Sequence, residues 1–153
     1  MWARARVHVA ILAAVVGAAL LGPLSATAAP PERITVSMQG ALTGPGTVEG
    51  TYTVSGAVSD NGTYVETYRF AGGSIHGVKT LTGRAGTVTL IADAVIRWTS
   101  PTTAELDAGH WRLESGTGVY AGLRGGGAPC AAGSADLASG QVEVVHAGFV
   151  FGG

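Results

Sequence analysis

The sequence predicts an all-β protein, an eight-stranded antiparallel up-and-down barrel that follows an N-terminal secretory signal. Runs in which apolar and polar residues alternate recur from Arg33 to Phe151, and glycine-rich turns separate them at short intervals. Beyond the N-terminal 28 residues, no run has the helical period. Strands of about a dozen residues favour a barrel, because strand tilt accommodates their length and closure removes exposed sheet edges. A β-sandwich is the alternative architecture.

The N-terminus predicts export. Arg4 and Arg6 precede an uncharged apolar run, Val9–Leu21, and the small-x-small sequence Ala26–Ala28 follows. This order is typical of a secretory signal peptide. The apolar run is shorter than the roughly 20 residues that a membrane-spanning helix needs, which disfavours an uncleaved anchor. We therefore expect residues 1–28 to be removed by cleavage near Ala28 and the protein to be extracellular.

The mature chain, residues 29–153, has the size of a single domain. Its first half contains five runs with strand character: Arg33–Met38, Val48–Val58, Thr63–Phe70, Ser74–Leu81 and Thr87–Thr99. Asn61-Gly62 is a strong hairpin signal and predicts the turn between the second and third strands. Gly72-Gly73 predicts the following turn.

The second half predicts strands at Ala104–Ser115, Ser134–Leu137 and Gln141–Phe151. Between the first two of these lies a glycine-rich segment, Gly109–Gly127, which reads as a strand, a turn and the start of another strand. Within it, Gly116 and Gly118 are expected to supply backbone angles that other residues resist. The count is then about eight strands.

This segment carries a family resemblance. Its W-R-L-E-S-G-T-G-V-Y-A-G-L-R-G-G-G sequence, Trp111–Gly127, resembles a signature of allene oxide cyclase barrel-like proteins and is similar to a segment of plant dirigent proteins. The stretch V-S-G-A-V-S-D-N-G-T-Y, Val54–Tyr64, resembles a strand-turn-strand of bacterial members. The resemblance implies an eight-stranded barrel with an apolar cavity, which is trimeric in many members, so a homo-oligomer is an expectation here. It identifies no catalytic residue in this chain.

Charge and composition exclude several classes of function. The mature chain is mildly acidic and has no basic cluster, so we expect no nucleic-acid partner. Lys79 is its only lysine, which argues against a polybasic membrane-binding patch. Cys130 is the only cysteine, so no intrachain disulfide can form and stability must come from packing. A reactive thiol or an intermolecular bridge at Cys130 is the less favoured interpretation.

Motifs for cofactors and metals are absent. The stretch G-G-S-I-H-G-V-K-T, Gly72–Thr80, resembles a phosphate-binding loop, but Val78 separates Gly77 from Lys79 where the motif requires adjacency. His76, His110 and His146 are scattered, without the spacing of a metal site. We therefore expect no cofactor and no metal.

One strand carries a candidate site. Tyr64, Glu66, Tyr68 and Phe70 share a face by strict alternation. If this face points into the barrel, Glu66 is a carboxylate among aromatic rings and is suited to acid-base work. The simpler interpretation places Glu66 at a barrel rim, hydrogen-bonded to Tyr or Arg.

The remaining candidates lie on neighbouring strands. Tyr64, Tyr68, Trp98 and Trp111 are the candidate ligand-binding residues. His110 or Asp107 could assist Glu66. Arg97 and Arg112 could pair with it but are expected to point outward.

Two functions follow from these features. The first is a secreted barrel that binds a small apolar molecule or serves as a non-catalytic exported module, as the apolar faces and missing catalytic motifs suggest. The second is a cyclase or isomerase that works in the cavity without a cofactor, as Glu66 and the family resemblance suggest. The size and lining of the lumen distinguish them from a purely structural role.

Overall fold

A closed β-barrel forms the whole described part of the protein, which in the computed structural model is residues 29–153 except the side chains of residues 129–131. The predicted signal peptide, residues 1–28, and the Cys130 side chain lie outside this part. The strands are β1 (Glu32–Gly44), β2 (Thr47–Gly56), β3 (Asp60–Ala71), β4 (Ser74–Gly83), β5 (Thr87–Trp98), β6 (Thr103–Gly116), β7 (Arg124–Asp136) and β8 (Gln141–Phe151).

The strands follow one another around the barrel in chain order. Each pairs antiparallel with the next, and β8 pairs with β1 to close the sheet. The predicted eight-stranded up-and-down barrel is therefore confirmed, and the sandwich alternative is wrong. No helix in residues 29–153 is long and apolar enough to cross a membrane.

The two ends of the barrel differ. We call the end that carries the turns at 45–46, 72–73, 99–102 and 137–140 the open end. The opposite end, with loops 57–59, 84–86 and 117–123, is the closed end, because a short 3-10 helix, Gly118–Tyr120, places the buried Tyr120 side chain there.

Alternation along the strands builds the core. Buried and less buried residues alternate in β5, where Val88, Leu90, Ala92 and Ala94 point inward. Complete burial of a Val or Leu side chain stabilises the folded state by about 1.5–3 kcal/mol. The core fills the closed half of the lumen with these large side chains: Met38, Tyr52, Tyr64, Leu81, Leu90, Trp111 and Tyr120.

The predicted turn at Asn61-Gly62 is wrong. Both residues lie in β3, where Asn61 pairs with Thr53, and the chain reverses at residues 57–59 instead. Gly56, at φ 101°, supplies the left-handed backbone that starts this loop. Asp60 then points inward and is held by buried hydrogen bonds, which a turn at Asn61 would break.

The strand predicted at Ser134–Leu137 is much longer than expected, since β7 begins at Arg124 and includes the glycine run. Glycine is required there because neighbouring atoms leave no room for a Cβ atom. A Cβ at Gly126 would meet the β6 backbone, and one at Gly127 would lie 2.8 Å from the Trp111 ring nitrogen. The small residues of β7 therefore make room for Trp111.

The two glycines of the G-T-G turn have different roles. Gly118 has φ 60°, as expected for a residue in the left-handed region. Gly116 does not, so the expectation of an unusual backbone angle is wrong there. A Cβ at Gly116 would instead lie 2.5 Å from the Cβ of Tyr120.

Candidate functional site

An apolar cavity opens at the open end of the barrel. The cavity volume that water-sized spheres can occupy is about 50 Å³. Glu66 is its only charged lining residue. The rest of the lining is aliphatic and aromatic, and includes Leu42, Tyr68, Phe70, Ile75, Ile96, Trp98, Leu106, Leu137 and Val144.

A second, smaller space lies nearer the middle of the barrel. It shares Glu66, Ile75, Leu106 and Val144 with the cavity and adds Lys79, Asp93 and His146. The Asp93 carboxylate itself pairs with His76 and His110 on the outer surface. We call Glu66, Lys79 and His146 the polar floor. An apolar cavity with a few convergent polar groups at its base is the usual form of a small-molecule site.

Glu66 and Lys79 form a buried ion pair. They are direct cross-strand partners on β3 and β4, and their side chains are 6% and 5% exposed. The carboxylate accepts a hydrogen bond from the ammonium group. Gly77, one inward position away on β4, makes room for the pair, because a Cβ there would press on the Glu66 carboxylate. The simpler interpretation of Glu66 as a rim residue is wrong, since the residue is buried.

His146 completes the polar floor from β8. It is 2% exposed, and neither ring nitrogen has a hydrogen-bond partner among the described residues. Burial, and secondarily the charge of Lys79, lowers the pKa of His146 to about 3, so the imidazole is neutral at neutral pH. A neutral imidazole carries one N–H donor and one acceptor nitrogen.

Trp111 supports His146 from the neighbouring wall. The indole stacks on the imidazole with ring centroids 5.8 Å apart and planes 30° apart. Its ring N–H donates to the Ala147 carbonyl at 2.8 Å, which fixes the indole against β8. Trp111 thus limits the movement of His146.

Tyr64 lies two residues below Glu66 on the same inward face of β3. Its side chain is buried, and its hydroxyl has no partner among the described residues. Burial, followed by the negative charge of Glu66, raises the pKa of Tyr64 to about 12. The phenol therefore stays protonated at neutral pH and is a further potential donor below the floor.

A separate polar cluster seals the closed end. Asp60 accepts hydrogen bonds from the hydroxyls of Tyr52 at 2.8 Å and Tyr120 at 3.0 Å, and from the Ala85 amide at 3.3 Å. Burial opposes ionisation of Asp60, but the hydrogen bonds, with that from Tyr52 the largest, hold its pKa below the usual value. Burial and the bond to Asp60 raise the pKa of Tyr52 to about 12. This cluster closes the barrel base and does not face the cavity.

The candidate ligand-binding residues lie at two different depths in the barrel. Tyr68 and Trp98 line the mouth of the cavity, and Phe70 stands beside Tyr68 with an edge-to-face ring contact at 5.3 Å. Tyr64 and Trp111 are buried deeper in the core. Glu66 lies between these two levels.

The residues proposed to assist Glu66 are not brought to it. His110 and Asp107 are exposed, and His110 contacts Asp93, 3.3 Å away, on the outer surface. Arg97 and Arg112 point outward as expected and pair with Glu105 and Glu114, respectively.

The sequence interpretation missed Lys79, His146 and Asp60 as interior groups. The interior position of Lys79 could have been predicted, because a symmetric hairpin about Gly72-Gly73 places Lys79 opposite Glu66. The interior position of His146 could also have been predicted, because it continues the inward alternation of Val142 and Val144 on β8. Asp60 had no such signal, because the turn was placed on the wrong side of it.

Neither the arrangement of metal-ligating side chains nor similarity to known proteins identifies a further site. Among the described residues, no group of three or more His, Cys, Asp and Glu side chains is arranged to hold a metal ion. No protein-family model, curated protein or solved structure matches this chain. The small closed barrel and the geometry of its lumen are therefore the basis for functional inference.

Proposed function

We propose that this protein is a secreted barrel that binds a small apolar molecule in its lumen through the open end. The cavity carries the proposal: its lining is apolar around a single charged residue, Glu66, and aromatic side chains surround its mouth. A purely structural barrel would gain stability by filling this space, because unfilled core volume is destabilising.

The resemblance of Trp111–Gly127 to allene oxide cyclase-like and dirigent-like proteins supports the same proposal. That resemblance implies an eight-stranded barrel with an apolar cavity, and we place the chain with those barrels on this ground. Homo-oligomerisation belongs to the same proposal. Native mass spectrometry of protein purified from culture supernatant measures subunit number and retained small molecule together.

A blocking variant tests ligand binding. Ala104 lines the cavity and is buried, so Ala104→Phe should fill the lumen above the polar floor. Ala121→Phe, at an exposed position of the closed end, is the matched control. We expect N-phenyl-1-naphthylamine fluorescence to rise on binding the wild type and Ala121→Phe but not Ala104→Phe. Equal responses of all three proteins, or no response, would contradict binding in the lumen. The protein would then be an exported module without a lumenal ligand.

A cofactor-independent cyclase or isomerase is the second candidate. The buried Glu66–Lys79 pair favours it, because a carboxylate shielded from bulk water and adjoining an apolar cavity can transfer a proton. In this mechanism Glu66 moves the proton, while Lys79 and the N–H of the neutral His146 stabilise negative charge on the substrate oxygen. Loss of turnover in Glu66→Gln, with retained binding of N-phenyl-1-naphthylamine, would separate catalysis from binding.

A further inference from the structure

The polar floor contains hydrogen-bonding capacity that the protein itself does not use. Both ring nitrogens of His146 are buried without a partner among the described residues, as is the Tyr64 hydroxyl below the floor. Buried polar groups are nearly always hydrogen-bonded, and leaving one unsatisfied is destabilising. His146 lines the second space, which shares four residues with the apolar cavity, so the deep end of a molecule in the cavity would be directed toward it.

The charge of the floor restricts what can bind there. Glu66 and Lys79 neutralise one another in their buried pair, and His146 is uncharged. A charged group brought to this depth would lose its hydration and find no free counter-ion, which is strongly unfavourable. A neutral oxygen can accept the imidazole N–H without this penalty.

We infer that the occupant of this cavity is an apolar molecule ending in a neutral hydroxyl or carbonyl group, which hydrogen-bonds to His146 at the polar floor. This inference rests on the proposed ligand-binding function. The apolar body lies among Leu106, Val144 and the mouth residues, and Trp111 holds the imidazole in place from behind.

Three probes with the same chain length test the head group. Calorimetric titration of the purified protein with 1-octanol, octanoate and octylammonium at pH 7 compares a neutral, a negative and a positive end. We expect 1-octanol to bind at least tenfold more tightly than either ion. Equal affinities would overturn the inference while leaving the proposed binding function intact, and no binding of any probe would overturn both.

A histidine variant tests the assignment to His146. His146→Leu retains a similar volume but no hydrogen-bonding group, and His110→Leu removes an exposed histidine as the control. We expect at least a fivefold loss of 1-octanol affinity in His146→Leu alone, with a melting curve that shows a folded protein. Unchanged affinity in His146→Leu would mean that the floor histidine is satisfied by water only, which contradicts the inference.

Discussion

Glu66 and Lys79 face each other across β3 and β4 inside the barrel, where each is the other's only charged partner among the described side chains. The pair places two opposite charges at the base of an apolar cavity. The only lysine of the chain therefore lies in the barrel interior, where it pairs with Glu66.

Breaking this pair on one side should be costly. Glu66→Gln leaves the Lys79 ammonium buried without its counter-ion, so we expect a loss of about 3–5 kcal/mol in unfolding free energy. The double variant Glu66→Gln/Lys79→Met should recover most of this loss, because no unpaired charge remains. Urea denaturation of the two single variants and the double variant measures the coupling. Additive losses in the double variant would show that the two side chains do not interact.

His146 should make stability depend on pH. Its native pKa is about 3, whereas an unfolded histidine titrates near 6.5. Below pH 6.5 the unfolded state therefore binds a proton that the native state does not, and the unfolding free energy falls as the pH is lowered toward 3. Between pH 7 and pH 5 the loss should be about 2 kcal/mol.

His146→Leu is the matched variant for this effect. It should lose the pH dependence that histidine contributes. At pH 7 it should also be more stable than the wild type by about 1–3 kcal/mol, because a buried unsatisfied polar group is removed. Denaturation at pH 7, 6 and 5 gives both quantities. An identical pH slope in the wild type and His146→Leu would mean that His146 takes up its proton as readily in the native state as in the unfolded state.

The G-T-G turn should depend on Gly118. A side chain at φ 60° is strained, and a Cβ there would also press on the Ala85 carbonyl. We expect Gly118→Val to lower the unfolding free energy by about 1–3 kcal/mol. Gly44→Val is the control, because its Cβ would meet nothing within 4 Å and its φ is not left-handed. Equal denaturation midpoints for the two variants would contradict the role of Gly118.

Export should produce a mature protein that starts at Ala29 or Pro30. The small-x-small sequence Ala26–Ala28 follows the only long apolar run, which is the order that signal peptidase recognises. Cleavage there leaves the whole barrel intact, since β1 begins at Glu32. N-terminal sequencing of protein from the culture medium tests this, and a start at Met1 would contradict it.

Periodicity predicted the fold better than the site. Alternation and glycine turns were sufficient for eight antiparallel strands. The shared face of Tyr64, Glu66 and Tyr68 on β3 followed from the sequence, but whether it points inward was left open. The Asn61-Gly62 turn was wrong because local turn preference is weaker than the inward anchoring of Asp60. Trp111 was predicted as a candidate ligand-binding residue, but its packing on His146 was not predicted, because it depends on β8, which is distant in sequence.

The polar floor illustrates the limit for the site. A symmetric hairpin about Gly72-Gly73 already implies that Glu66 pairs with Lys79. The lysine was considered only for a phosphate-binding loop and for a polybasic membrane-binding patch. The meeting of this pair with His146 could not be predicted from either hairpin. It results from barrel closure, which brings β8 to face β3 and β4 across the lumen.

The location of a bound apolar probe tests the central claim most directly. In a methyl-labelled sample titrated with 1-octanol, we predict that NMR shifts concentrate on Ile75, Ile96 and Leu106, which line the cavity. Val65 and Val119, exposed on the outer wall and at the closed end, should remain unchanged. Shifts confined to such exposed methyl groups, or none at saturating 1-octanol, would contradict a ligand site inside the barrel.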